Sequence, residues 1–67
     1  MQIKIQITMD NAAFADGNAG RETASILLDL QSIIYKETEI KPGFGCRLFD
    51  SNGNEVGNAK ITRSKAR

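Results

Sequence analysis

The feature that most constrains this fold is the alternating run QIKIQITM at residues 2–9. Apolar side chains occupy every second position, and the positions between them hold glutamine, lysine or threonine. The apolar set is Ile3, Ile5, Ile7 and Met9. A period of two with β-branched residues predicts a β-strand that buries one face. Such a strand needs other strands beside it and a second layer over its apolar face.

A helix predicted over residues 19–37 can provide that second layer. At about 100° per residue, most of its apolar side chains fall within one arc of about 120°, which we expect to cover the sheet. This arc holds Ala19, Thr23, Ile26, Leu27, Leu30, Ile33 and Ile34. The opposite arc, expected to face water, holds Arg21, Glu22, Ser25, Asp29, Ser32 and Lys36. Asp16 or Asn18 is expected to cap the first free amides.

The remaining helical side chains form a third group, which we call the outer strip. It consists of Ala24, Leu28, Gln31 and Tyr35. Leu28 and Tyr35 are separated by about two helical turns and therefore stack along the axis. Two interpretations stay open: the twisted sheet or a loop covers the outer strip, or the strip binds a partner or a second copy. Tyrosine suits the second use, because it is large and rigid and has a polar tip.

Two further strands follow the helix. The turn KPGFG at residues 41–45 ends the helix, because Pro42 disfavours helical geometry at the residue before it. The runs FGCRLFD at residues 44–50 and EVGNAKITR at residues 55–63 predict strands. Asn-Gly at positions 52–53 predicts a hairpin between them, because both central residues can adopt positive φ.

The order of elements is therefore β-α-β-β, within a single α+β domain over residues 1–62. We expect a three-stranded, mainly antiparallel sheet of strand order 1-3-2, with one helix packed on one face. In the third strand, Val56 points away from the helix unless a bulge intervenes. The other sheet face is open and carries Lys4, Gln6, Thr8, Arg47 and Phe49, with Lys60 and Thr62 beside them.

A chain of 67 residues has little material for a core. Such a chain buries about 60% of its unfolded surface, and small domains often add disulfides, a metal or a second subunit. Cys46 is the only cysteine and histidine is absent, so an internal disulfide is excluded and zinc would have one soft ligand. We therefore expect no metal and no cofactor, while a homodimer stays open.

Three features predict a cytoplasmic protein that does not act at a membrane. The start of the chain alternates and has no apolar core run, unlike a secretory signal. No segment approaches the roughly 18 apolar residues of a membrane-spanning helix. A single cysteine fits a reducing compartment.

The charge is distributed unevenly along the chain. Residues 1–59 carry five basic and eight acidic side chains. The last eight residues carry no acid and four basic side chains, which are Lys60, Arg63, Lys65 and Arg67. Together with Lys4 and Arg47 on the open sheet face, these would be the phosphate contacts of a nucleic-acid-binding protein. The alternative for residues 63–67 is a basic, frayed tail that lies in solvent and binds nothing.

The connector DNAAFADGNAGRET at residues 10–23 is not a phosphate-binding loop. It departs from that template at Ala15, Arg21 and Glu22. Phe14, the one aromatic residue of the connector, is expected to plug one end of the core.

Catalysis has few candidate residues. The turn DSNGNE at residues 50–55 lacks the glycine and the glutamate of a calcium loop, and Cys46 has no histidine to activate it. We therefore expect a protein that is not an enzyme, with no catalytic residues and no small-molecule substrate.

Two motifs resemble a known group of proteins. The first is the strand end I-T-x-D-N-A-A-F at residues 7–14, and the second is the hairpin L-x-D-x-N-G-N-x-V-G at residues 48–57. A helix of the type A-x-I-L-x-x-L lies between them, at residues 24–30. The combination resembles small, uncharacterised proteins encoded in phage and prophage genomes, over most of residues 3–61. The departures are the basic tail and three residues of a helix that is usually charged: Leu28, Ser32 and Tyr35.

This resemblance implies a small accessory protein of a phage or mobile element, acting in a bacterial host cell. Such proteins commonly bind a host or defence protein and block one of its surfaces. The leading expectation is therefore an inhibitor of a defence system such as CRISPR–Cas, with Leu28 and Tyr35 as apolar anchors. Two alternatives stay open: a nucleic-acid-binding accessory protein, and a small homodimeric structural or assembly protein.

Overall fold

The computed structural model describes residues 1–37 and 39–64. These residues form one α-helix and a three-stranded antiparallel sheet of order β1-β3-β2, which confirms the predicted architecture and strand order. The elements are strand β1 (Gln2–Ile7), a short 3-10 helix (Ala12–Phe14), helix α1 (Ala19–Lys36), strand β2 (Gly45–Phe49) and strand β3 (Glu55–Thr62).

Strand β3 lies between the other two strands and is antiparallel to both. On the face that α1 covers, Ile5 lies opposite Ala59, which is a core residue. On the open face, Lys4 lies opposite Lys60. Among the described residues, both β1 and β2 are therefore edge strands, each with one unpaired side.

A β-bulge in β3 brings Val56 into the core. One step along β2, from Leu48 to Phe49, corresponds to two steps along β3, so Val56 is the extra residue. A bulge of this kind re-aims the side chains next to it. Val56 is buried in the same cluster as Leu48, although strict alternation would point it away from α1.

Gly57 follows the bulge and lies against the backbone of β1. A Cβ atom at this position would lie 1.9 Å from the carbonyl oxygen of Gln6 and 3.0 Å from the Cα atom of Ile7. No side chain fits in that space. The two strands can therefore approach closely at this point only because position 57 is glycine.

The core is small and lies between α1, β2 and β3. Its buried apolar side chains are Phe14, Ile26, Leu30, Leu48, Val56, Ala59 and Ile61. Phe14 closes one end of the core, as predicted from the sequence. Helix α1 packs more extensively on β2 than on β1, and Ile33 lies beside Phe49 on that side.

Most of the apolar face of β1 stays uncovered, contrary to the prediction, although Ile7 is partly buried and packs against the core. Ile3 and Ile5 expose 42% and 43% of their surface, and Met9 exposes 51%. Leu27 and Ile33, predicted for the sheet-facing arc of the helix, are also exposed. The physical reason is width, since a three-stranded sheet measures about 14 Å across and a single helix about 10 Å. With α1 placed towards β2, the side chains of Ile3 and Ile5 stay largely exposed beside it.

The predicted hairpin between β2 and β3 is present, and one residue of its Asn-Gly pair has positive φ. Gly53 has a φ of 84°, and Asn52 does not adopt the left-handed conformation. The amide of Gly53 donates to the carbonyl of Asp50 at 3.0 Å, and the amide of Asp50 donates to the carbonyl of Asn54 at 2.9 Å. The connection is therefore a longer loop with glycine at its left-handed position.

The start of α1 also differs from the prediction. Asn18 occupies the N-cap position, but its side chain makes no capping hydrogen bond. Asp16 lies in the connector with a φ of 58°. The polar groups that hold this end of the helix in place come instead from the hairpin loop, as described next.

Candidate functional site

The connector and the hairpin loop, which carry the two sequence motifs, meet at one corner of the molecule. The side-chain amide of Asn11 donates to Oδ2 of Asp50 at 2.7 Å. Its carbonyl oxygen accepts from the amide of Ala13 at 3.1 Å, within the 3-10 helix. One asparagine therefore orders its own turn and joins it to a loop almost forty residues away. The motif residues at this corner stabilise the fold.

Glu22 belongs to the same corner, although the helical periodicity placed it on the water-facing arc. The residue exposes only 9% of its surface. Its carboxylate accepts hydrogen bonds from the amide of Ser51 at 2.6 Å and from the hydroxyl of Ser51 at 3.1 Å. The hairpin loop folds back against this side of α1, and the paired carboxylate can then be buried. Periodicity within one helix contains no information about such a loop.

Asp50 organises the hairpin loop as a hydrogen-bond acceptor. Its Oδ1 atom accepts from the amides of Asn52 and Asn54, each at 2.9 Å. Burial raises the pKa of Asp50, but these amides and the Asn11 side chain lower it by more. The pKa therefore lies below its usual value, and Asp50 is ionised at neutral pH.

The outer strip is exposed to solvent. Leu28 exposes 64% and Tyr35 82% of its surface, and Ala24 and Gln31 are exposed as well. The interpretation that the sheet or a loop covers the strip is therefore wrong for this chain. Two large apolar side chains stand side by side on the outside of a small domain.

The outer strip continues without a charge to the margin of α1 that faces β1. At about 100° per residue, this uncharged flank holds Gly20, Thr23, Ala24, Leu27, Leu28, Gln31, Ile34 and Tyr35. Its inner margin faces the end of β1, since the Thr23 hydroxyl donates to the Met9 sulfur at 3.2 Å. The uncharged flank is therefore continuous with the exposed side chains of Ile3 and Ile5 on β1. Depletion of charge is typical of the centre of protein–protein interfaces.

A groove of about 370 Å³ marks the place where the uncharged flank meets the start of β1. Its lining is almost entirely apolar and consists of Met1, Gln2, Ile3, Ile34, Ile40 and Ile61. The groove extends the exposed apolar surface to the C-terminal end of α1.

The residues predicted for nucleic-acid binding are only partly brought together. Lys4 and Lys60 lie directly opposite each other on the open sheet face. Arg47 lies across from Asn58 on the same sheet, and its guanidinium is 3.8 Å from the carboxylate of Glu55 and 5.9 Å from the centre of the Phe49 ring.

Three further residues were predicted for nucleic-acid binding. Arg63 follows β3 and is exposed. Lys65 and Arg67 lie outside the described residues.

Within residues 1–37 and 39–64, no group of three or more acidic, cysteine or histidine side chains is arranged to hold a metal ion. Cys46 is half-buried on β2, and burial raises the pKa of its thiol, which favours the unreactive neutral form. The same part of the chain contains no helix that is long and apolar enough to cross a bilayer.

The sequence reasoning identified the outer strip but missed its extension onto β1 through Leu27, Ile3 and Ile5. No local pattern in the sequence signals this extension. A helix about 10 Å wide that runs along a three-stranded sheet about 14 Å wide leaves part of it uncovered, and which strand stays exposed depends on where the helix lies above the sheet.

Comparison with known proteins found no protein-family model, no curated protein and no solved structure that matches this chain.

Proposed function

We propose that this chain is a non-enzymatic binding protein that docks on a larger host or defence protein and blocks its surface. The observation that carries the proposal is the exposed outer strip, with Leu28 and Tyr35 as apolar anchors on a flank without charge. Burying a leucine or an aromatic side chain contributes about 1.5 to 3 kcal/mol. Aromatic anchors also dominate the binding energy of many protein interfaces.

The kind of partner follows from the resemblance to phage and prophage proteins. A protein from that setting acts in the cytoplasm of a bacterial host, and a component of a defence system such as CRISPR–Cas fits a small blocking protein. The blocking mechanism is steric. A domain that carries its anchors on one helix flank covers the partner surface without taking part in its chemistry.

The test is capture of the partner from a bacterial host extract, followed by mass spectrometry and comparison of variants. The double variant Leu28→Ser with Tyr35→Ser removes both anchors. The matched control, Ser25→Ala with Ser32→Ala, changes two exposed residues with the same spacing on the water-facing arc that adjoins the outer strip. We expect the control to capture the same protein as the wild type, and the anchor variant to bind it at least about tenfold more weakly.

Equal capture by the folded anchor variant would overturn this assignment of the surface. Circular dichroism of each variant shows that it is folded, so that a loss of binding is not mistaken for a loss of structure.

A second candidate function, nucleic-acid binding, is favoured by the Lys4–Lys60 pair. Like charges directly opposite each other in a sheet are destabilising, and an anionic phosphate between them would remove that cost. Arg47 and Lys60 also line a shallow depression on the same face, above Gly45.

This second candidate is tested by fluorescence anisotropy with single-stranded and duplex DNA over a salt series. Phosphate contacts by both lysines predict that Lys4→Gln with Lys60→Gln reduces the slope of log K against log salt by about 1.5 to 2. Lys36→Gln, an exposed lysine on α1, is the control and leaves the slope unchanged. Absence of binding at low salt contradicts this function.

A further inference from the structure

The outer side of β1 is an unpaired edge whose hydrogen-bonding groups can be assigned. The amide of Thr8 donates to the carbonyl of Val56 at 2.8 Å, so the backbone groups of Thr8 point towards β3. In an antiparallel ladder this direction alternates along the strand. The backbone groups of Ile3, Ile5 and Ile7 therefore point away from β3, towards the open edge.

The two edges of the sheet differ in their protection. Each edge strand carries one central cation on the open face, Lys4 on β1 and Arg47 on β2, and such a charge opposes strand addition. The edges differ in two other respects: Pro42 stands in the turn before β2, and Leu48 of β2 is buried, whereas Ile3 and Ile5 of β1 are exposed. An edge of this kind pairs readily with another strand.

We propose that β1 pairs antiparallel with β1 of a second copy of this chain, with Ile5 on the two-fold axis. This inference goes beyond the proposed function, because it rests on β1 and not on the outer strip. The resulting sheet has six strands in the order β2-β3-β1-β1-β3-β2. Both helices lie on the same face of this continuous sheet.

The register follows from charge and from the direction of the backbone groups. An axis through Ile5 places Ile3 opposite Ile7 of the second copy. The three residues whose backbone groups point towards the open edge then form hydrogen-bonded pairs across the axis. The same axis also places Lys4 opposite Gln6 of the second copy. An axis through Lys4 would instead place two lysines about 5 Å apart, which is unfavourable. A shift of one residue would put apolar side chains on the open face.

The exposed area of the chain agrees with a second copy. The chain exposes 5005 Å², whereas a compact monomer of its mass exposes about 4,200 Å². An interface of standard size removes about 800 Å² from each partner. In the dimer, Ile3 and Ile5 of both copies form the floor of one groove, and the inner margins of the two uncharged flanks, at Thr23, Leu27 and Ile34, border it. The outer strips stay free to bind a partner.

The first test is a site-specific disulfide in a Cys46→Ser background. Residues opposite each other in a hydrogen-bonded pair have Cα atoms about 5.5 Å apart, within the range of a disulfide. Ile5→Cys is therefore expected to give a covalent dimer on mild oxidation. Ile3→Cys is the matched control, because its two copies would lie about 13 Å apart. Equal cross-linking of both variants, or none by Ile5→Cys, overturns the register.

The second test uses charge at position 6 and analytical ultracentrifugation of the full chain. Gln6→Glu would face Lys4 of the second copy and lower the dimer dissociation constant by about threefold or more, whereas Gln6→Lys would raise it by a similar factor. Gln6 lies opposite uncharged Asn58 within one copy, and circular dichroism of both variants checks that they keep the fold. A monomer at all concentrations up to about 1 mM, or the same dissociation constant for both variants, overturns the dimer.

These outcomes are separable from those of the proposed function. The anchor variant of Leu28 and Tyr35 is expected to keep the dimer and lose the partner. Gln6→Lys is expected to weaken the dimer and keep both anchors exposed. A dimer without a captured partner therefore contradicts the proposed function alone, and a captured partner on a strict monomer contradicts the dimer alone.

Discussion

At the scale of single residues, Gly57 shows how closely two backbones approach beside the bulge. A methyl group at this position would collide with the carbonyl of Gln6, so Gly57→Ala must push β1 away from β3. We expect a loss of about 2 to 3 kcal/mol in the free energy of unfolding, at the upper end of overpacking costs, measured by urea denaturation. Gly20→Ala is the matched control, because nothing lies near its Cβ position and it is helical. This control should gain about 0.5 to 1 kcal/mol.

Equal effects of the two glycine substitutions would show that the strands can separate at position 57 without cost. The close approach of β1 to β3 would then be incidental to the fold.

Asp50 gives the folded state a dependence on pH. Its pKa is lower in the folded chain than its ordinary value of about 3.9. Its contribution to stability is therefore present above that ordinary value and is lost as the pH falls through the lower, folded pKa. Asp50→Asn is expected to destabilise the protein at pH 7 and to flatten the fall in stability as the pH drops below the ordinary carboxyl pKa of about 3.9. Chemical denaturation of both proteins at several pH values in that range measures the difference.

An equally steep acid dependence in Asp50→Asn would mean that another carboxylate controls the acid transition. The loop hydrogen bonds would then contribute little to it.

At the scale of elements, α1 has one face for the core and another that the fold does not need. Leu30 is buried, whereas Leu28 is exposed. Leu30→Ala should therefore cost about 2 to 5 kcal/mol in the free energy of unfolding, through lost burial and the cavity left behind. Leu28→Ala should change it by less than about 0.5 kcal/mol. Thermal or urea denaturation distinguishes the two, and similar losses for both would show that Leu28 is covered in solution.

The elements themselves could be predicted from the sequence, because each follows from local patterns. The order of elements follows from the alternation at β1, the helical period at α1 and the Asn-Gly hairpin. The two layers follow from the need to pack the apolar face of the helix against the apolar face of the sheet. Three features depend on contacts distant in sequence and could not be found that way. They are the burial of Glu22 by the hairpin loop, the inward turn of Val56 at the bulge, and the exposed face of β1.

The candidate site was predictable to a similar extent. The helical period separated Leu28 and Tyr35 from the sheet-facing arc, and the structure leaves both exposed. Their continuity with β1 was not predictable, because it depends on the position of α1 above the sheet. Local sequence patterns do not predict above which strands of a sheet a helix lies.

At the scale of the whole molecule, the small core and the open edge of β1 point to stability that depends on concentration. A dimer that forms only from folded chains adds stability by mass action. We expect the unfolding temperature to rise with protein concentration over a range of about 10 µM to 1 mM. Differential scanning calorimetry measures this rise, and Gln6→Lys should reduce it. The same unfolding temperature at all concentrations would mean that the folded state is monomeric.

The central claim is that the outer strip is the surface through which this chain binds and blocks a partner. The most direct measurement is the dissociation constant of the captured host protein, by isothermal titration calorimetry, with the wild type, the anchor variant and the Ser25→Ala/Ser32→Ala control. The proposal predicts an unchanged constant for the control and an increase of about tenfold or more for Leu28→Ser with Tyr35→Ser. The same constant for all three folded proteins would contradict it.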